Sequence, residues 1–299
     1  MTRDAIAIAH LSKRFGKVCA VDDLTLSVPE GSICGLLGPN GAGKTTTFKC
    51  LLGLAKADAG QVSYWGRPFS YHVFTDVAYV PEQSTLYEWM KAQDYLEFTR
   101  RAHRSYDPAL AQTLLALLDL DARKRVRALS KGQRTALMVV MALARRPRLL
   151  ILDEPTSGLD PIHQRQVLDL IIEAAAGGAT VLFSSHQITQ VERAADHVSI
   201  LKNGRLIVSD SVDALKEQQK VIEAIFEGEV PSINGLTHDP RVRRIEQAGH
   251  TLRVYVLHSA TSIARDIDAM KPASVSLIDR NLEDIFMDSV TAGSPATVR

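Results

Sequence analysis

Gly38-Pro39-Asn40-Gly41-Ala42-Gly43-Lys44-Thr45 is the stretch on which the reading of this chain turns. It fits G-x-x-x-x-G-K-[ST], and its surroundings fit as well. The apolar run Ile33-Cys34-Gly35-Leu36-Leu37 before it reads as a strand, and Thr46 to Leu54 after it carries helical periodicity. Strand, glycine-rich loop and helix in that order make an anion cradle. The glycines let the backbone wrap closely around phosphates, and the helix aims its free N–H groups and positive end at them. Lys44 is placed to reach the β- and γ-phosphates of a nucleotide and the Thr45 hydroxyl to ligate Mg²⁺. The expected nucleotide-binding set runs from Gly38 through Thr46.

Outward from the loop, the chain reads as α/β. Residues 4–31 are β-rich, with short strands at Ala5-Ile-Ala-Ile, Val18 to Val21 and Leu24 to Val28. Gln61 to Trp65 and Val77 to Val80 read as further strands, the second stopped by Pro81. From 84 to about 135 the texture turns helical, with few β-branched residues, as an insertion between halves of an α/β domain would. Leu149-Leu-Ile-Leu-Asp153 is an unbroken apolar run, the signature of a parallel strand covered on both faces, and Thr180 to Ser184 is another. His197 to Leu201 and Arg205 to Val208 flank Asn203-Gly204 as a hairpin. The expected organisation is a nucleotide-binding domain at 4–215, a small α+β appendage at 216–290 after a polar linker, and a disordered tail at 291–299.

Two further segments carry chemistry. Asp153 and Glu154 end a buried strand, where Asp153 can hold Mg²⁺ and Glu154 can accept a proton from an attacking water. Leu129-Ser130-Lys131-Gly132-Gln133 precedes the apolar run Ala136 to Ala144. Ser130 reads as an N-cap and Gly132 as a residue that leaves the helix start open to close approach. This is a second anion-binding helix start.

Composition narrows the classes. The 299 residues carry 35 basic and 34 acidic side chains, so no general nucleic-acid binder is indicated. Three cysteines, Cys19, Cys34 and Cys50, lack metal spacing and suit a reducing compartment. The nine histidines include no H-x-x-x-H pair on a helix, the zinc pattern. No run approaches the roughly 18 uninterrupted apolar residues of a membrane span. Any membrane crossing is therefore expected from another chain.

With these motifs in view, residues 5–210 resemble the nucleotide-binding subunit of an ATP-binding cassette (ABC) transporter, a P-loop NTPase with a helical insertion. The phosphate loop, Leu129-Ser-Lys-Gly-Gln133, Leu149 to Pro155, Ser157-Gly-Leu-Asp160 and Ser184-Ser-His186 stand in that family's order. The resemblance implies a head-to-tail dimer, of one chain or of related subunits, sandwiching two ATP molecules. Ser130, Gly132 and Gln133 would contact the ATP on the other subunit's loop, and Asp160 would link the two sites. His186 matches the switch histidine at the γ-phosphate, and Phe15 the aromatic residue that stacks on adenine. Where the family commonly has Gln after Tyr79-Val80-Pro81, this chain has Glu82 and then Gln83, and either could face the metal. Lys131 replaces a commoner glycine and is expected to point to solvent. Leu86-Tyr87-Glu88-Trp89-Met90 reads either as a groove for a cytoplasmic helix of the membrane partner or as core packing of the insertion. Asn281-Leu-Glu-Asp-Ile-Phe-Met resembles the ending of exporter-type subunits that pair with a separate permease. The implied function is an Mg²⁺-dependent ATPase at the cytoplasmic face of the membrane, driving a permease, for export. The alternative is a soluble ABC ATPase acting on ribosomes or nucleic acid. A single phosphate loop and the lack of sustained heptads argue against it.

Overall fold

The computed structural model describes residues 3–291. The expectation of a disordered tail falls outside that range, apart from Thr291, which closes the last helix. The chain divides after Ser209 into two compact units, Met1–Ser209 and Asp210–Arg299.

In the first unit, β1 (Asp4–Phe15) and β2 (Val18–Pro29) are long antiparallel partners, where the sequence suggested three short strands. The breaks in the apolar pattern are bulges: register shifts interrupt the pairing, and His10 and Asp23 take φ of 53° and 55°. In β2 Leu24, Leu26 and Val28 are buried and Thr25 and Ser27 exposed, the period-2 alternation of a half-covered sheet. β3 (Ile33–Leu37) leads through the loop to α1 (Lys44–Leu51). β4 (Ala59–Tyr64) and β5 (Arg67–Pro68) complete an antiparallel sheet of order β2-β1-β4-β5. Phe48 and Leu51 of α1 share a core with Ile6, Leu24 and Tyr64, and the Tyr64 hydroxyl donates to Leu51 O at 2.7 Å. That core holds the C-terminal half of α1.

The remaining elements build a mostly parallel sheet. β6 (Val77–Val80) precedes α2 (Ala92–Ala102), α3 (Pro108–Leu117) and α4 (Lys131–Leu143). Then come β7 (Leu149–Asp153), α5 (Pro161–Ala176), β8 (Thr180–Ser185), α6 (Ile188–Ala194), β9 (His197–Lys202) and β10 (Arg205–Ser211). The order is β10-β9-β3-β8-β7-β6, with β3 pairing in parallel to both β8 and β9. Every residue of β3, β7 and β8 is buried, which is why these strands read as apolar runs. A β-carbon on Gly35 would meet Val191 Cγ1 at 2.3 Å, so α6 can lie close on β3 only over glycine. Asn203 and Gly204 both have positive φ, as a type I′ hairpin turn requires. Cys34 behaves as the small apolar residue expected, its thiol pushed by burial up to about 11.

In the second unit, the expected linker is the end of β10 followed by a helix, α7 (Val212–Gln218), capped by Ser211. β11 (Lys220–Ile225), the short α8 (Asn234–Thr237), β12 (Val242–Ala248), β13 (Thr251–Val256), α9 (Ala260–Asp268), β14 (Ser274–Asp279) and α10 (Leu282–Thr291) follow. The four strands form an antiparallel sheet of order β12-β13-β11-β14. Its core joins Ile222, Leu252 and Val254 to Ile263 and Ile267 of α9.

Candidate functional site

The loop between β3 and α1 is held by contacts that only glycine permits. Gly41 and Gly43 have φ of 79° and 105°. A β-carbon on Gly43 would lie 2.4 Å from Ala20 O, and one on Gly38 would lie 2.6 Å from Leu201 O. Lys44 is buried, and its Nζ donates to Gly38 O at 2.7 Å and Pro39 O at 3.4 Å, so the lysine closes the loop from inside. The same ammonium stands 3.8 Å from Glu154 Oε1.

Two carboxylates leave the end of β7 beside this loop. Asp153 is 1% exposed; its Oδ1 accepts from Ser184 Oγ at 2.6 Å, while its Oδ2 is buried with no hydrogen-bond partner among the described residues. A buried, half-satisfied carboxylate oxygen is a strong place for a cation. The Tyr79 hydroxyl reports the same negative field: burial foremost, then the Asp153 and Glu82 charges, raise its pKa. The residues present therefore fit Mg²⁺, with Thr45 at the cavity wall and Asp153 next to Glu154, which lines the same cavity. Glu154 is buried, in a left-handed conformation of φ 51°. Its Oε2 lies 2.8 Å from His186 Nδ1, so Nδ1–H donates to the carboxylate and Nε2 is left for another partner. These groups surround a cavity of about 550 Å³ that reaches from Asn40 to Thr46 and takes in Glu82, Glu154 and His186.

The structure brings the loop, Glu154, His186 and Glu82 to one cavity, while Gln83 does not line it. Phe15 does not line it either, but stands at the end of β1 with 53% of its surface exposed, opposite Val18, whose side chain is at the cavity wall. Ser130, Gly132, Gln133 and Asp160 lie outside this cavity. Ser130 caps α4 in a reciprocal box: its Oγ accepts from Gln133 N and Gln133 Oε1 accepts from Ser130 N, both at 3.1 Å. One sequence expectation needs correction here. A β-carbon on Gly132 would meet Gly158 O at 2.4 Å, so this glycine admits the chain's own 157–159 loop rather than leaving the helix start open. Lys131 is exposed, as expected, and its Nζ donates to Ser157 Oγ at 3.1 Å. Asp160 caps α5, accepting from Ile162 N and His163 N; the His163 ring beside it, then the backbone, holds its pKa below the usual carboxylate range.

Sequence reasoning missed several participants. Val18, Cys19 and Ala20 of β2 form part of the cavity wall, which no motif signals, because tertiary packing alone carries β2 across to the loop. Ser184 appears in the sequence only as a neighbour of His186, yet it touches both carboxylate residues: besides donating to Asp153, its Oγ accepts from Glu154 N at 3.0 Å. Tyr87 and Trp89, which the sequence left between groove and core, are 64% and 68% exposed and stacked on each other, so they are not core.

A parallel sheet with a glycine loop opening a helix, a buried lysine in the loop and an acidic pair two strands over define a nucleotide-binding P-loop NTPase. Known proteins narrow the class. Residues 21–157 match the ABC transporter family. The uncharacterized ABC transporter ATP-binding protein YhaQ of Bacillus subtilis is 38% identical over 217 residues, 71% of this chain and 72% of its own. The Nod factor export ATP-binding protein I of Rhizobium sp. (strain N33) is 33% identical over 302 residues, covering 96% of this chain and 97% of its own. A solved ATP-binding subunit of an ABC transporter superposes with a TM-score of 0.65 at 30% identity, over 71% of this chain and 92% of that one. The chain belongs to the ATP-binding subunits of ABC transporters, a family of ATPases. Among the described residues, no helix is long and apolar enough to cross a membrane.

Proposed function

We propose that this chain is the Mg²⁺-dependent ATPase subunit that closes as an ATP-bound dimer and drives a separate membrane permease from its cytoplasmic face, in export. The carrying observation is the Glu154 carboxylate, set between Lys44 Nζ at 3.8 Å and His186 Nδ1 at 2.8 Å in the cavity of the phosphate loop. Loop N–H groups and Lys44 hold the β- and γ-phosphates. Glu154 takes a proton from the water whose oxygen attacks the γ-phosphorus, the bond to the β-bridging oxygen breaks, and ADP carries the electron pair away. His186 orients Glu154 through Nδ1–H and, as the imidazolium, donates Nε2–H to the γ-phosphate. Thr45, Asp153 and Glu82 would hold Mg²⁺, which when bound neutralises phosphate charge; Glu82 is preferred to Gln83 because it lines the cavity. Phe15, exposed beside the cavity wall, is the adenine platform.

The dimer reading is supported by Ser130, Gln133 and Asp160 standing outside this chain's own cavity while still presenting polar groups at helix starts. They would complete the site on a second copy or a related subunit. Export is supported by the near full-length likeness to a Nod factor export ATP-binding protein.

Glu154→Gln tests the proposal. The variant should bind ATP, lose hydrolysis by at least about 100-fold and elute as a stable ATP-dependent dimer in size exclusion with light scattering. Hydrolysis at the wild-type rate refutes Glu154 as the base, and a variant that stays monomeric with ATP refutes the dimer. Recovery from membranes together with a polytopic protein supports the permease; recovery with ribosomes overturns it.

A further inference from the structure

Ser184 is 0% exposed at the end of β8, one strand across from the acidic pair. Its hydroxyl is used twice. Oγ donates to Asp153 Oδ1 at 2.6 Å and accepts from the backbone N–H of Glu154 at 3.0 Å. The hydroxyl's single hydrogen is thus committed to Asp153, which fixes the direction of both bonds.

Each bond constrains something the proposed chemistry needs. With Oδ1 occupied, the Asp153 carboxylate is held in one rotation, and the buried Oδ2 is the oxygen left without a partner. Glu154 sits at φ 51°, a left-handed conformation unfavourable for a residue with a side chain. The bond to Ser184 and the Ser157 N–H on Glu154 O, at 3.0 Å, hold that turn closed. The turn in turn aims the Glu154 side chain back at His186, two residues along the same β8 exit as Ser184.

We propose that Ser184 is a positioning residue: it turns Asp153 Oδ2 toward the metal and holds Glu154 in the backbone conformation from which it activates water. The inference rests on the ATPase reading above. Ser184 does not line the cavity; it acts through its two neighbours.

The test uses the full chain with Ser184→Ala and Ser184→Thr, the second keeping a hydroxyl. Mn²⁺ is the probe, titrated into the ATP complex and followed by electron paramagnetic resonance, alongside steady-state kinetics and thermal melting. Ser184→Ala should weaken Mn²⁺ about 10- to 100-fold and lower kcat by a similar factor, with ATP binding in EDTA unchanged. Ser184→Thr should recover most of both. If Ser184→Ala does not fold, Ser184→Cys, similar in volume and a poor donor, takes its place. Wild-type Mn²⁺ affinity in Ser184→Ala overturns the proposal. So does an equal loss in Ser184→Ala and Ser184→Thr, since the hydroxyl is then not the cause. Should the wild-type chain hydrolyse no ATP, the ATPase reading fails, yet the Mn²⁺ comparison still decides the role of Ser184.

Discussion

At the scale of single residues, Lys44, Glu154 and His186 come from three separate segments and meet at one cavity, and each, like Asp153, stands among contiguous neighbours that announce it. What the sequence could not show is which atoms satisfy which. At Gly132 the space a β-carbon would need is taken by Gly158 O, 26 residues away, a contact only the fold creates. The loop glycines give a sharper case, because similar letters have different reasons. Gly41 and Gly43 both have positive φ, but a β-carbon meets nothing within 4 Å at Gly41 and Ala20 O at 2.4 Å at Gly43. Gly41→Ala should therefore lower stability by about 1–2 kcal/mol, the backbone term alone. Gly43→Ala should lose distinctly more, because the β2 backbone must also move. Urea denaturation without nucleotide measures both, and equal losses would show that the Ala20 contact is not restrictive.

At the scale of elements, buried parallel strands declared themselves because both faces are apolar. β1 and β2 were undercounted because bulges at His10 and Asp23 break the alternation without ending the strand. α5 was not assigned, although its start carries a signal: Asp160 as N-cap followed by Pro161 at the first helical position. The segment before α2 shows where sequence alone leaves a choice open. Tyr87 and Trp89 could be core or contact surface from their letters alone, and only their exposure decides. Their rings stack with centroids 6.0 Å apart, while the backbone beneath is tied by Arg127 N to Glu88 O at 3.0 Å and Val126 N to Met90 O at 2.9 Å. A rigid base under an exposed aromatic pair suits a contact surface. Trp89→Ala should change stability by no more than about 0.5 kcal/mol and leave basal ATP hydrolysis intact, while reducing the rate measured with the permease in membranes. A lower melting temperature in the isolated chain would instead make Trp89 a structural residue.

At the scale of the whole molecule, the sequence suggested two domains from a change of texture, and the structure gives two units with separate cores. Phe48, Leu51 and Ile151 belong to one and Ile222, Val254 and Ile263 to the other. Strand order was beyond the sequence. That β3 lies between β8 and β9 follows from packing, and it is this order that brings the loop after β3 beside His186 after β8. Every residue at the cavity comes from the unit that ends at Ser209. Binding to the folded form alone stabilises it by RT ln(1 + [L]/Kd), so ATP at a hundredfold excess over its Kd should add about 2.7 kcal/mol. In the Glu154→Gln chain, where ATP persists, native-state hydrogen exchange can assign that gain by element. Slow amides of β3, β7 and β8 should gain the full increment, and those of β11 and β13 should not. Equal gains in both sets would mean that the two cores unfold together, and the appendage would then share the stability of the nucleotide site rather than hold its own.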